Sequence, residues 1–312
     1  MKVIAKEFNL IQRFFAREAS NKDIVLSIGD DAAITKVPTN YELVTTTDSL
    51  VAGTHFLSDS DPCSIGHRSL AVNLSDLAAM GANPRWASIA LHLPEINEAW
   101  LADFAKGFFK LANRFDVDLI GGDTVKGPLA ITVTLQGLVP EGSAVKRSGG
   151  SSGDIICVTG HPGLAAFARK HNHSDLVACY DYPEPQLVIG EQVRAIVSAM
   201  IDISDGLDSD LRQLLLASNL GASIDVESLP IEARVKDSVG FLDAVELALF
   251  GGEDYELLFS VPPSKLNDLL EMSNNWDKSL SLIGQFNEGK ELNWLLDSKP
   301  FNSNQSGFKH FI

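Results

Sequence analysis

The chain reads as two domains of the α/β or α+β class, and three observations carry that reading. Segments with strand character alternate with segments of helical period in both halves. Between the halves lies PEGSAVKRSGGSSG, residues 140–153, where glycine and serine crowd the chain and mark a boundary. A loose echo links the two sides: GGDT at 121–124 and GGED at 251–254. A length of 312 residues is enough for two domains, placed at 1–140 and 150–312.

Composition narrows the function classes. Hydrophobic residues make up 45% of the chain and mean hydropathy is near zero, as in a globular protein with a substantial core. The net charge of −16, from 25 basic and 41 acidic residues, argues against a broad basic surface for nucleic acid. Cys63, Cys157 and Cys179 are scattered and odd in number, so neither a zinc site nor a disulfide framework is expected. Charges at Lys2, Lys6, Glu7 and Arg13 interrupt any signal-peptide core. No run approaches the roughly 20 apolar residues of a spanning helix. A cytoplasmic protein with neither membrane nor nucleic-acid partners is expected.

Taken in order, Ile4, Phe8, Ile11 and Phe15 recur at helical period and predict an amphipathic helix over 3–18. Gly29 permits a bend before Asp30 and Asp31, and Ile34 resumes a short strand. Leu43, Val44 and the threonines of ELVTTTDSL form a strand ending at Asp48, which runs on towards His55. The helix bearing Asp76 follows, stopping around Gly81 and Pro84. Ser88–Leu93 is a strand, 99–114 a second amphipathic helix, and Val117–Ile120 a short strand leaving Asp123 just past its end. Leu129–Leu138 closes the first half.

Beyond the boundary, Ile155–Thr159 is a strand and Leu164–His171 a helix, followed by irregular chain to residue 186. Leu187–Ala199 is helical. The strand Ala199–Ser204 opens into DISDGLDSD, with four aspartates in nine residues. A helix at 207–218, a strand at 223–226 and a helix at 239–249 lead to GGEDYELLFSV. The last 50 residues supply a helix, two strands and a short tail.

The chemistry centres on Asp76. Ala71, Leu74, Leu77 and Ala78 make its helix a buried one, yet Asn73, Ser75 and Asp76 lie within it. A buried carboxylate costs several kcal/mol unless it is paired or bound to a metal. Other acids gather where strands end or loops turn: Asp30/Asp31, Asp48, Asp123, Asp202/Asp205 and Glu253/Asp254. Uncompensated, such a cluster repels itself and takes up protons. Mg²⁺ resolves the conflict, because it prefers carboxylate oxygen and keeps waters that phosphates can replace. Thr46 and Thr47 can add hydroxyl or carbonyl oxygens, and the neighbouring glycines let backbone N–H groups approach a phosphate. Singly, each has a structural reading: Asp30/Asp31 as a turn cap, Asp205 as an N-cap, His55 as a packed histidine, Arg147 as a solvated cation. The conjunction points to a nucleotide polyphosphate with metal. No G-x-x-x-x-G-K-[ST] loop, kinase H-R-D or D-F-G, G-x-S-x-G or H-E-x-x-H is present.

The segments GDDAA (29–33), TTTDSLVAGTHF (45–56), LAVNLSDLAAMGANP (70–84), LIGGDT (119–124), IDISDGLDSDL (201–211) and GGEDYEL (251–257) resemble the thiamine-monophosphate kinases. These enzymes belong to the superfamily of aminoimidazole ribonucleotide synthetase and selenophosphate synthetase. The resemblance covers nearly the whole chain. It implies ATP- and Mg²⁺-dependent phosphorylation of thiamine monophosphate to thiamine diphosphate. It also implies a homodimer in which the sheet of the N-terminal domain, the metal, ATP and dimerisation domain, helps form a barrel across the interface.

By motif match, Asp31, Thr46, Thr47, Asp48, Asp76, Asp123, Asp202 and Asp205 would hold several Mg²⁺ ions. Gly122, Asp123, Arg147 and Ser204 would contact ATP, and Arg147 could stabilise charge on the transferring group. His55, Glu253 and Phe308 would contact the thiamine end. The chain departs from the family pattern at Ala105, where an aromatic near the base is common, in the plain HPGLAAF turn, and at Phe308, where Trp or Tyr is common. Competing readings are another phosphorylating member of the superfamily, or a silent Mg-nucleotide-binding scaffold. Selenophosphate synthetase wants a reactive N-terminal cysteine or selenocysteine, and the first cysteine here is Cys63.

Overall fold

The computed structural model describes residues 9–171, 176–301 and 303. It divides into two compact units, Met1–Leu77 with Ala82–Gly142, and Ala78–Gly81 with Ser143–Ile312.

In the first unit a π-helical turn, Ile11–Phe15, ends where Ala16 becomes extended, so the helix stops short of residue 18. Residues 3–8 of that expected helix lie outside the described chain. Two short strands, β1 (Ile24–Leu26) and β2 (Ile34–Thr35), pair with each other and flank the Asp30/Asp31 turn. Then come β3 (Tyr41–Val51), α1 (Pro62–Ala79), β4 (Asn83–Leu93), α2 (Glu98–Arg114), β5 (Asp118–Lys126) and β6 (Ala130–Pro140). The sheet order is β3-β6-β4-β5, parallel between β4 and β5 and antiparallel elsewhere.

Strand period sets the layers. Ile131, Val133 and Leu135 of β6 are buried, while Thr132 and Thr134 alternate onto the other face. There Thr47 and Thr134 pair hydroxyl to hydroxyl at 2.9 Å, and Ser49 and Thr132 at 2.7 Å. Helix α1 lies on the sheet and is almost wholly buried; Leu70, Ala71, Leu74, Leu77 and Ala78 have no exposed surface. Its outer side is covered by α2, which Asn97 caps by accepting from the N–H groups of Ala99 and Trp100, both at 3.1 Å. Phe104 of α2 stacks on Trp100 and meets Phe15 edge-on. The seventeen residues of α2 carry their apolar side inward, as the period requires.

Strand β5 corrects one expectation. It does not stop at Ile120 but runs through GGDT, because parallel pairing to β4 continues to Lys126. A bulge interrupts the register: Ala87 faces Leu119, while Ser88 faces Gly121, leaving Ile120 without an opposite. Asp123 thus sits inside a strand, opposite Ala90.

The second unit contains β7 (Ile155–Thr159), α3 (Leu164–His171), α4 (Val177–Asp181), α5 (Leu187–Val193), β8 (Ala199–Ile203), α6 (Leu207–Ser218) and β9 (Gly221–Asp225). After these come α7 (Ala233–Val239), α8 (Phe241–Phe250), β10 (Glu256–Val261), α9 (Leu266–Ser273), β11 (Leu280–Asn287), β12 (Leu292–Leu296) and β13 (Lys299–Pro300). Seven strands form one sheet in the order β13-β12-β9-β11-β7-β10-β8. Strand β10, buried along its whole length, pairs with β7 on one side and β8 on the other. Ile156, Val158, Ile201 and Leu258 pack with Phe167, Leu211, Leu214 and Leu249 into one core.

Helix α5 ends at Val193 rather than near 199, because Ser198 already donates its N–H to Ser260 and enters the β8–β10 ladder. The helix expected over 239–249 is α8, starting at Phe241, because Gly240 at φ +85° separates it from the preceding helix α7. Chain expected to be irregular before residue 186 includes the short helix α4. Among the described residues no helix is long and apolar enough to cross a membrane.

Candidate active site

In the first unit, β3 and α1 bring their polar residues together. Thr46 and Asp48 alternate onto the side of β3 that leads to the buried Leu50, whereas Thr47 faces away. The Thr46 hydroxyl donates to the Asp76 carboxylate across the β3–α1 contact. Asp76 is therefore half-buried and partnered rather than wholly enclosed. One turn earlier, the Asn73 amide donates to the Ser69 carbonyl at 3.1 Å, while its buried side-chain oxygen receives no donor. The Thr47 hydroxyl pairs with Thr134 on the opposite side of β3 from Asp76.

A cavity of about 720 Å³ opens beside β5. Its lining includes the polar Asp30, Asp31 and Asp123 with Gly121 and Gly122, and the apolar Ile11, Phe15, Leu91 and Leu119. Asp30 accepts from the Asp31 N–H at 2.8 Å, and Asp123 from the Thr124 N–H at 2.8 Å, and both acidic residues are exposed. Gly122 has φ +148°, and a Cβ there would fall 1.9 Å from the Ile89 carbonyl oxygen. Only glycine fits this strand against β4, and Gly122 lies exposed next to Asp123. The hydroxyl of Ser27, another lining residue, is buried without a partner.

His55 follows β3 in a turn. Its Nδ1 accepts from the Val51 N–H at 3.0 Å, and Arg68 donates to its carbonyl at 3.1 Å. In the neutral ring the proton is thereby left on Nε2. Ala105 is buried in α2, at 5% exposure, so it offers no surface to a base.

In the second unit, Asp202 lies buried in β8, and Ser204 and Asp205 form the turn into α6. The unforeseen residue is Asp210, one turn into that helix. Its carboxylate accepts from the N–H groups of Ser204 at 3.0 Å and Asp205 at 3.1 Å and so shapes the turn. Burial, and then the charge of Asp205, push it up to about 7. The acidic run DISDGLDSD held this signal, but only the fold separates clamp from candidate ligand. Asp208 has another duty, accepting from Arg212 and from the Trp294 indole at 2.7 Å.

Exposed Arg147 donates to Gln213 at 2.8 Å, with its own carbonyl bound by Ser218. Glu253 is half-buried and receives the Tyr255 hydroxyl at 3.1 Å. Phe308 lies outside the described residues.

Asp254, beside Glu253, accepts from the N–H groups of Gly163 at 2.7 Å and Ala165 at 3.2 Å, at the start of α3. Desolvation nonetheless pushes its carboxyl up to about 7. The folded protein therefore keeps this proton between about pH 4 and 7, where the unfolded chain has lost it, so the associated stability is full below pH 4 and disappears as pH rises through 7. Asp254→Asn is expected to gain on the wild type steadily from pH 4 to 8 in urea unfolding. A constant offset across that range would overturn the shift.

The donor set is carboxylate, hydroxyl and carbonyl oxygen, which suits a hard divalent cation, and the partnerless Asn73 oxygen adds an acceptor near Asp76. Among the described residues, however, no three His, Cys, Asp or Glu side chains converge tightly enough to hold a metal ion by themselves. The expected ligands fall in separate groups: Thr46, Asp48 and Asp76; Asp31 and Asp123; Asp202 and Asp205.

Family models match most of the chain: AIR synthase related protein, N-terminal domain, over residues 29–139, and the corresponding C-terminal domain over 151–296. A thiamine-monophosphate kinase of Salmonella typhimurium is 43% identical over 98% of both chains, and one of Escherichia coli is 42% identical over the same shares. The crystal structure of a thiamine-monophosphate kinase from Stenotrophomonas maltophilia superposes with a TM-score of 0.87 at 39% identity, covering 95% of this chain and 98% of that one. A ThiL structure described as complexed with AMPPCP and TMP superposes with a TM-score of 0.78 at 29% identity, over 91% and 92%. Hydrogenase maturation protein HypE in complex with ATP shares the fold at 19% identity and a TM-score of 0.76. With this similarity running the length of both units, the chain belongs to the thiamine-monophosphate kinase family of AIR synthase related proteins.

Proposed function

We propose that the protein transfers the γ-phosphoryl group of ATP to the phosphate of thiamine monophosphate, giving thiamine diphosphate and ADP. The observation that carries this reading is 43% identity to a thiamine-monophosphate kinase over 98% of both chains. The complex of a relative with AMPPCP and TMP supports it, since an ATP analogue and the acceptor occupy one protein there.

The reaction suits the residues. Both reactants are anions, so the barrier includes bringing them together, and the attacking phosphate oxygen is already ionised. No strong general base is needed. Bound Mg²⁺ would neutralise and align the phosphates. Asp31, Thr46, Thr47, Asp48, Asp76 and Asp123 in the first unit, and Asp202 and Asp205 in the second, would hold such ions. The backbone at Gly122, with Asp123 and Ser204, would receive ATP, and the apolar side chains lining the 720 Å³ cavity are suited to its base. Arg147 would add positive charge to the transferring group. His55, Glu253 and Phe308 would bind the thiamine end, where a carboxylate complements the cationic thiazolium.

Metal binding, ATP binding and dimerisation are assigned to residues 1–140, and 150–312 form the C-terminal domain. A homodimer is supported by the edge strand β3, which exposes Tyr41, Leu43 and Val51, together with Val125 on the opposite edge strand β5. The use of ATP as co-substrate supports a cytoplasmic location.

The test is a coupled ADP-release assay with ATP, thiamine monophosphate and Mg²⁺, each omitted in turn, with the product identified by chromatography. Thiamine diphosphate is expected only in the complete mixture. ADP without thiamine diphosphate would move the acceptor to another superfamily substrate. Tight nucleotide binding without ADP would favour a binding module.

A further inference from the structure

We infer that Tyr255 is a positioning residue for the acceptor, holding the Glu253 carboxylate and tying it to the loop that carries Ser204 and Asp205 at the end of β8. The inference rests on the proposed function, in which Glu253 meets the thiamine end and that loop meets nucleotide and metal.

The backbone gives the first reason. Gly252, Glu253 and Tyr255 have φ of +65°, +64° and +50°. Left-handed backbone is ordinary for glycine but uncommon for glutamate and rarer still for a bulky tyrosine. It persists where surrounding contacts over-determine it, and such residues cluster at functional sites. The contacts are visible here. The Glu253 N–H donates to the Ser204 carbonyl and the Tyr255 N–H to the Ile203 carbonyl, both at 2.8 Å.

The second reason is how closely the two loops interlock. A Cβ on Gly252 would lie 2.5 Å from the Ser204 carbonyl oxygen, and one on Gly206 would lie 2.7 Å from the Leu249 carbonyl oxygen. Gly252 uses a positive φ to touch the backbone of the 204–205 turn, and Gly206 does the same against the last residues of α8, from which the 252–255 loop leads. A displacement of 204–206 therefore moves 252–255 with it.

The side chain gives the third reason. Tyr255 is buried, at 7% exposure, and its hydroxyl reaches Glu253 Oε2 at 3.1 Å. A hydrogen bond to a carboxylate is among the stronger kinds and is directional, so it selects one Glu253 rotamer before any ligand arrives. Pre-organisation of this type appears in acceptor affinity.

Tyr255→Phe keeps the ring and its burial and removes only the donor. The expected result is a rise in KM for thiamine monophosphate of about tenfold, the scale of one charge-assisted hydrogen bond. The KM for ATP should stay within about twofold and the thermal midpoint should be unchanged. In a Glu253→Gln background, adding Tyr255→Phe should cost far less than in the wild type, because the charged acceptor is gone. An unchanged KM in Tyr255→Phe, equal rises in both KM values, or full additivity in the double variant would each overturn the inference. Wild-type protein assayed alongside separates the two readings. If it forms no thiamine diphosphate, the activity itself is overturned; if it is active and Tyr255→Phe matches it, only the role of Tyr255 falls.

Discussion

Asp48→Ala is expected to abolish turnover, by at least about 10³-fold, with the fold intact. The expectation follows from position. Asp48 lies two residues beyond Thr46 on one side of β3, and Thr46 donates to Asp76 of the adjoining helix. Alanine removes one of a small group of carboxylates proposed to hold the cation between two anionic reactants. A metal ion contributes several kcal/mol to such a transition state, and each 1.4 kcal/mol is tenfold in rate. Little stability is lost, because Asp48 is half-exposed and the paired strands β3 and β6 remain. ADP release and circular dichroism measured together check both halves. Wild-type turnover in the variant would sink the metal assignment. A second readout comes from binding: Mg-ATP should raise the thermal midpoint of the wild type and not of Asp48→Ala.

The largest loss of stability is expected from Gly107→Ala. A Cβ at Gly107 in α2 would lie 1.9 Å from the Cys63 carbonyl oxygen of α1, and one at Gly66 would lie 2.1 Å from the Phe104 carbonyl oxygen. The two helices thus meet backbone to backbone, each glycine admitting the other helix. No side-chain rotation relieves such a clash, and the helices must separate. Overpacking costs typically 1–3 kcal/mol, and a backbone clash belongs at the upper end, about 3 kcal/mol. The thermal midpoint should fall by roughly 6–12 °C. In isolation alanine is the better helix former by up to about 1 kcal/mol, so a destabilised variant isolates the packing term. A loss under about 1 kcal/mol would mean that α1 and α2 separate easily.

Elements with strong local signals were legible in sequence. The strand Ile155–Thr159 and the helices 164–171 and 207–218 have the bounds that their patterns predict. The errors fall where tertiary pairing overrules local signals. Strand β5 passes through two glycines because β4 supplies a partner along its whole length. Helix α5 ends early because Ser198 is drawn into a buried ladder. The π-helical turn at 11–15 could not be foreseen from a pattern of period 3.6.

The sequence by itself determined the family and the stock of chemistry: hard oxygen donors beside glycines, no common kinase motif, two α/β halves. Side-chain type and spacing carry that information locally. Only the tertiary structure decided how near-identical acids differ in duty. Asp76 receives Thr46, Asp210 clamps the turn before α6, Asp208 holds Arg212 and Trp294, and Asp254 caps α3. The physical reason is that a carboxylate's role depends on which donors reach it and how much water is removed. Both are set by chain segments distant in sequence, as with Asp208 and Trp294, or Asp254 and Gly163.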